Sequence, residues 1–375
     1  MDSLTQALLG ASVQGALLGR WQGRKALLYG ALLGTLPDLD VLLDYADPVA
    51  NMTCHRGFSH SLLVLGALGL ILTWLIRRWR PHPSYSAQRL WLTLTLVLVT
   101  HALLDAFTSY GTQLLWPLDT PPIAWSSLFI IDPLYTLPLL LAVLLGLLAR
   151  QTLARASRVA LLASTVYLGF SLLAQQLALQ RVSDTLAERG IRPEALFIAP
   201  TPFNTLLWRV VALEGEHYHE LVTGLFDHQP PQSERFERGQ ALAAALQDST
   251  QHARLVWFSG GFLRYDALGD QLVVTDLRLG MTGLHPFRFV LAKQRAGAWQ
   301  ILPTSQRWPA ERGGRPQLMA LRDRLLNPDS TLPLAQWATL LKAIPAPIGT
   351  PQQLAERGTA RNDDAASVTT LSESD

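Results

Sequence analysis

The chain has 375 residues, 49% of them hydrophobic and 16% charged, a balance too apolar for a soluble protein of this length. The formal net charge of +2 is too small and too scattered to point to nucleic acid or an anionic surface as a partner. A single cysteine, Cys54, excludes an intrachain disulfide and a cysteine-based zinc site.

Residues 1–180 contain no glutamate, whereas residues 181–375 are mixed and rich in Glu, Arg and Gln. Two regions in different solvents are implied. The opening MDSLTQALLGAS has an acid and no basic segment ahead of its apolar stretch, so a cleaved signal peptide is not expected. Apolar stretches fall at about residues 4–19, 26–46, 61–76, 90–107, 134–149 and 159–179. They read as a multi-pass membrane domain of six helices over residues 1–180, some short or broken. In the second stretch, LPDLDVLLDYAD loads Asp38, Asp40 and Asp44 onto one element, and Pro37 is placed to break or restart the helix.

Charge sorts the loops. Ten of the eleven Lys and Arg residues before residue 181 lie in three short segments: Arg20, Arg24 and Lys25; Arg77, Arg78, Arg80 and Arg89; Arg150, Arg155 and Arg158. The positive-inside rule assigns these to the cytoplasm. Only Arg56 is left over, and all eight aspartates fall in the other segments or at helix ends beside them. HRGFSHS, PDLD, HALLD and IIDPLY are thereby carried to one outer, non-cytoplasmic membrane face.

His101 and Asp105 are spaced i, i+4 and point the same way from successive turns. His55 and His60 converge only if His55 belongs to the preceding loop, with Gly57 supplying the turn and Ser59 capping the third span. Asp38 and Asp40 lie on nearly opposite sides of a helix, so one should ligate while the other holds a histidine or a water. We assign Asp40, His55, His60, His101 and Asp105 as metal ligands, and Asp38 and Arg56 as the groups acting on water and on an anionic substrate. Nitrogen and oxygen donors without thiolate suit zinc, and also manganese or iron. Metal-assisted hydrolysis is the chemistry such a set serves. Asp132, ahead of Pro133, reads equally as a helix cap.

At these residues the chain resembles the YdjM-like family of inner-membrane-associated metal-dependent hydrolases. The resemblance rests on MDSLTQALLGA, GTLPDLDVLL, HRGFSHSLL, THALLDAFTSYGTQLLWP and FIIDPLYTLPLL, and covers roughly residues 1–180. PTPFNTLLWRVV, from residue 200, resembles a downstream segment of one branch. The resemblance implies a membrane protein with a metal site, regarded as a hydrolase by analogy to zinc-dependent phospholipases, with Asp38, Asp40, His55, His60, His101 and Asp105 as the matching residues. Many relatives carry a histidine where this chain has Gln6, which implies one imidazole fewer here.

After Arg181, ALFIAPTPFNTLLWRVVALEGEHYHELVTGLF, ARLVWFSGGFLRYDALGDQLVVTDLRLG and FRFVLAKQRAGAWQILP read as strands separated by glycine-containing turns, with a short helix at ERFERGQALAAALQ. A small, mainly antiparallel β (α+β) extramembrane domain is expected over residues 181–349, outside the membrane on the metal side. His217 and His219 share one face of a strand and read as a polar strand edge rather than a metal pair. Trp208 and Trp257 read as core or interfacial aromatics. Residues 350–375 are polar, lack aromatics and read as a disordered tail. The function expected is a membrane metallohydrolase acting on an amphipathic ester or phosphoester at the outer interface. A metal transporter and a scaffold with a structural metal are the alternatives.

Overall fold

The computed structural model describes residues 1–80, 84–310 and 313–344. The expected tail from residue 350 lies outside the described residues. Helix α1 (Ser3–Gln22) starts at the cap Asp2, whose carboxylate accepts from Thr5 N–H, and stops at Gly23 with φ +60°. It packs against α2 (Lys25–Thr35), α5 (Ala87–Ala106), α6 (Pro133–Leu148) and α7 (Leu153–Glu188), so nearly every side of it is covered. The remaining helices of this half are the short α3 (Pro48–Cys54), capped by Asp47, and α4 (Leu62–Trp79), which packs on α5.

Three helical stretches among the described residues are long and apolar enough to cross a membrane: Leu62–Trp79, Ala87–Ala106 and Arg150–Glu188. Fewer helices than the six spans expected therefore qualify by length and composition, for three physical reasons. Buried inside the bundle, α1 carries Thr5, Gln6, Ser12 and Gln14 in place of lipid-facing side chains. Pro37 ends α2 after eleven residues and starts a 3₁₀ turn, Pro37–Leu42. The apolar α6 has only sixteen residues.

Backbone contact between α1 and α2 depends on glycine. A Cβ on Gly10 or on Gly30 would overlap the other's carbonyl oxygen, and one on Gly34 would lie 2.8 Å from Gln6 O. Small residues at i, i+4 spacing let membrane helices approach this closely.

Helix α7 runs unbroken through residue 180, where the sequence suggests a boundary. Its 36 residues extend about 54 Å, well beyond a hydrocarbon core of about 30 Å. The surplus turns carry Ala174, Ala178, Val182 and Leu186 onto Trp208, Val210 and Leu221 of the first sheet. That sheet is antiparallel in the order β1 (Ala195–Pro200), β2 (Leu207–Glu214), β3 (His217–Gly224), β4 (Gln232–Glu237). A second antiparallel sheet follows as β5 (Leu263–Leu268), β6 (Gln271–Asp276), β7 (Arg288–Arg295) and β8 (Ala298–Arg307). Helices α8 (Thr250–Ser259), α9 (Arg315–Leu326) and α10 (Leu334–Ala338) complete this half. The helix expected at ERFERGQALAAALQ is corrected: its start is β4 and its remainder a 3₁₀ turn, Gln240–Leu246. His217 and His219 stand on an interior strand rather than an edge, since β3 pairs on both sides.

The two halves share a core. Residues Val49 and Met52 of α3 pack with Leu255, Phe258 and Phe289, and the described residues from Met1 to Lys342 form one compact unit. Between the sheets lies a seam of buried charge. Arg209 donates to Glu220 at 2.5 Å and to Leu277 O at 2.9 Å, Thr282 also donates to Glu220, and Arg264 is bidentate on Asp266. Removing one partner of a buried pair strands the other charge without solvent. Glu220→Ala is therefore expected to lower unfolding stability by about 3–5 kcal/mol, whereas breaking the exposed pair Arg322–Asp323 with Arg322→Ala should leave it nearly unchanged. Thermal unfolding in detergent, followed by circular dichroism, checks the contrast.

Candidate metal centre

Four side chains from three separate segments meet at one end of the helical half. Asp38 comes from the turn after α2, His60 from a 3₁₀ turn Phe58–His60 ahead of α4, and His101 and Asp105 from successive turns of α5. One ligand atom from each lies within 4.8 Å of all the others. The two Nε2 atoms are 3.1 Å apart, His60 Nε2 is 3.1 Å from Asp105 Oδ2, and His101 Nε2 is 3.3 Å from Asp38 Oδ1. Ligands held roughly 2.0–2.1 Å from a tetrahedral ion stand about 3.3–3.4 Å apart. Two nitrogens and two carboxylate oxygens at these spacings could hold a divalent ion.

The tautomers fit that use. His101 Nδ1 lies 2.6 Å from Gly34 O, which can only accept, so Nδ1 carries the proton and Nε2 the lone pair. For His60 the chain is one step longer. Ser59 donates its hydroxyl proton to Asp40 Oδ2 at 2.7 Å and thus accepts from His60 Nδ1–H at 2.9 Å. Both imidazoles therefore turn lone pairs toward each other inside the protein. The surroundings favour positive charge there. Burial opposes a proton on His60, yet its contacts with Asp105 and Asp38 raise its pKa above the ordinary imidazole value. Burial likewise acts to raise the pKa of Asp38, but His101 and His60 hold its carboxyl well below the usual range.

The roles of the neighbouring aspartates are exchanged relative to the sequence reading. Asp38 joins the ligand group, while Asp40 accepts from His55 Nδ1 at 2.9 Å, Arg56 N–H at 2.9 Å and Ser59 Oγ at 2.7 Å. Its lone pairs are committed to fixing the loop. His55 is consequently beside the four-residue group rather than in it, its ring 6.3 Å from that of His60. The turn that brings the two histidines together is made by Arg56, with φ +60°, not by Gly57. Gly57 is required for a different reason: a Cβ there would sit 2.8 Å from Cys54 O. Ser61, not Ser59, caps α4, which leaves Ser59 available to His60.

Arg56 lies in the site but faces inward. Its Nε is 3.1 Å from Asp105 Oδ2, its Nη1 donates to Thr108 Oγ1 at 3.1 Å, and its guanidinium stacks 5.0 Å over the Tyr110 ring. The other Asp105 oxygen is held by the Met1 amino group and by Gln6 Nε2, the latter at 3.0 Å. Asp132 is not among the four: it caps α6 and accepts from Tyr167 OH. Sequence reasoning missed Gln6 as a support, along with Gly34 O, Ser59 and Thr108. The Gly10, Gly30 and Gly34 pattern was the available signal for the Gly34 carbonyl.

Residues 1–178 match the model of the YdjM inner membrane protein family. That stretch is similar to the family over nearly half of the chain. The chain is 38% identical over 96 residues to the inner membrane protein YbcI of Escherichia coli (strain K12), a match covering 25% of this chain and 54% of that protein. It is 28% identical over 140 residues to the uncharacterized protein YfhP of Bacillus subtilis (strain 168), covering 36% of this chain and 42% of that protein. The chain thus spans about half the length of the curated relatives it matches. No solved structure gives a significant match. The matched region contains all four residues of the group.

Ligands and supports should separate by metal titration. His60→Ala and His101→Ala are expected to abolish stoichiometric zinc or manganese, whereas Asp40→Asn should weaken affinity about 10–100-fold and still reach wild-type content at saturation. Affinity should also fall with acidification, because each ion bound must displace the proton that His60 holds below its raised pKa. Metal content by mass spectrometry, measured across about pH 6–8, checks both.

Proposed function

We propose that the protein is a membrane-bound metal-dependent hydrolase acting on an ester or phosphoester with an apolar portion, at the outer interface of the inner membrane. The observation that carries this reading is the pair of buried imidazoles with both Nδ1 protons committed and both lone pairs convergent between two carboxylates. Zinc suits these donors, with manganese or iron as the other fits. A divalent ion bound there supplies Lewis acidity and lowers the pKa of a coordinated water to roughly 7.

The chain's own groups divide the remaining work. Asp38 is the exposed member of the group, with 21% of its side chain accessible against 0–1% for His60, His101 and Asp105. Substrate therefore approaches from the Asp38 side. Arg56 offsets the charge of Asp105, its Nε 3.1 Å from Oδ2. Asp40 accepts at 2.9 Å from His55 Nδ1, on a ring 24% exposed. A carboxylate-oriented imidazole of this kind carries protons at its other nitrogen, and we assign that role to His55. Around the mouth, Leu39, Val41, Leu42, Phe58 and Trp116 are exposed. Such a collar suits an interfacial position and an amphipathic substrate.

Turnover of a chromogenic phosphodiester and a carboxylic ester by the metal-loaded protein tests the activity. His55→Ala is expected to retain metal and lose about 10²–10⁴-fold in kcat. Full metal with no turnover on either substrate rejects the enzyme in favour of a structural metal site. The side of the membrane is read separately from Cys54, the sole cysteine and half-buried in α3. A membrane-impermeant maleimide should label it in intact cells, and should not label Gln151→Cys in a Cys54→Ser background.

A further inference from the structure

A second binding feature lies at the other end of the helical half. Helix α1 begins beside Asp105 and ends at Gln22 after 20 residues, about 30 Å away. There α1, α2, α4 and α5 line an open cavity of about 1100 Å³, just above the roughly 300–1,000 Å³ range of small-molecule pockets. Its walls are apolar, with Leu33, Leu36 and Leu72 among them, and its rim carries Arg24, Lys25, Arg80 and Arg150. None of the described lining residues is acidic.

We propose that this cavity binds an anionic phospholipid, with an acyl chain along α2 and its phosphate among the rim cations. Three observations support that occupant. From Lys25 to Leu36 the α2 wall runs about 16 Å at 1.5 Å per residue, close to half of a hydrocarbon core of about 30 Å. It therefore matches one leaflet's chain. The rim cations converge: the Arg150 guanidinium lies over Gly23, where a Cβ would meet Nε at 2.7 Å, and Arg24 donates to Leu148 O at 3.3 Å. Finally, Gln14 lines the cavity at 2% exposure, and its Oε1 has no donor among the described residues. Its Nε2 donates to Gln22 Oε1 at 2.9 Å, so the amide is already oriented and a ligand hydroxyl would complete it. None of this depends on the metal centre.

Native mass spectrometry of the full-length protein in detergent, titrated with phosphatidylglycerol or with phosphatidylcholine of the same chains, provides the test. Phosphatidylglycerol should bind at least tenfold more tightly. An Arg24→Gln, Lys25→Gln double variant should lose about fivefold for each cation removed. Leu32→Trp, at a lining position that is 63% exposed, should block both lipids without disturbing the core. Metal content should stay at the wild-type level in all variants, which separates this site from the metal centre and reports that the chain is folded. Equal binding of the two lipids, an unaffected double variant, or competition by glycerol 3-phosphate as strong as that of the intact lipid would each overturn the assignment.

Discussion

Two ring nitrogens facing each other across 3.1 Å in a water-poor interior are satisfied by positive charge between them, a shared proton or a metal ion. The helical half is built so that His60 and His101 have little alternative. The Nδ1 proton of His101 is fixed by a backbone carbonyl, which cannot change from acceptor to donor. That carbonyl belongs to Gly34, and α2 can present it only because α1 and α2 touch through glycine. A larger residue at Gly10 or Gly30 would act on His101 through helix spacing, without touching the site.

The second half of the chain holds the other wall. Asp47 caps α3 and accepts from both Ser305 N–H at 2.7 Å and Ser305 Oγ at 2.9 Å, tying the segment to β8. Arg254 of α8 donates to Thr53 Oγ1 at 2.9 Å, and Tyr110 donates to Met52 O at 2.6 Å while its ring packs on Phe258 and Phe287. The same tyrosine supports Arg56 and His55. The β-rich half thus reaches the metal end by packing, as a buttress whose removal would loosen the loop carrying His55 and His60.

Much of this was legible from residue types and spacing. The His101 and Asp105 pair follows from helical periodicity, the break at Pro37 from proline chemistry, and the convergence of distant motifs from the sorting of charge between loops. What was hidden depended on backbone conformation. Nothing in PDLD tells which carboxylate faces the imidazoles, because a 3₁₀ turn, not an α-helix, sets their directions. Nothing in HRGFSHS announces that Arg56 takes the left-handed conformation. The span count failed where tertiary burial overrides hydropathy: α1 lies deep in the bundle while polar, because other helices shield it from lipid. Strand content in the second half was readable, but the buried arginines between the sheets were not, since Arg209 finds Glu220 on the neighbouring strand and the Leu277 carbonyl just after β6 of the other sheet.

Charge sorting has a further consequence. Asp2, Asp38, Asp40, Asp105 and Asp132 gather at the end where α5 finishes and α6 begins, and Arg24, Lys25, Arg80 and Arg150 gather at the end where α1 finishes and α2 begins. The separation required for membrane orientation gives the two ends opposite ligand preferences. A cation is stabilised among the carboxylates of one, and a phosphate among the guanidinium and ammonium groups of the other. With about 30 Å of helix between them, well over a Debye length at physiological ionic strength, neither charge cluster much weakens the other. A single electrostatic pattern in the sequence can therefore serve orientation, metal capture and lipid selection at once.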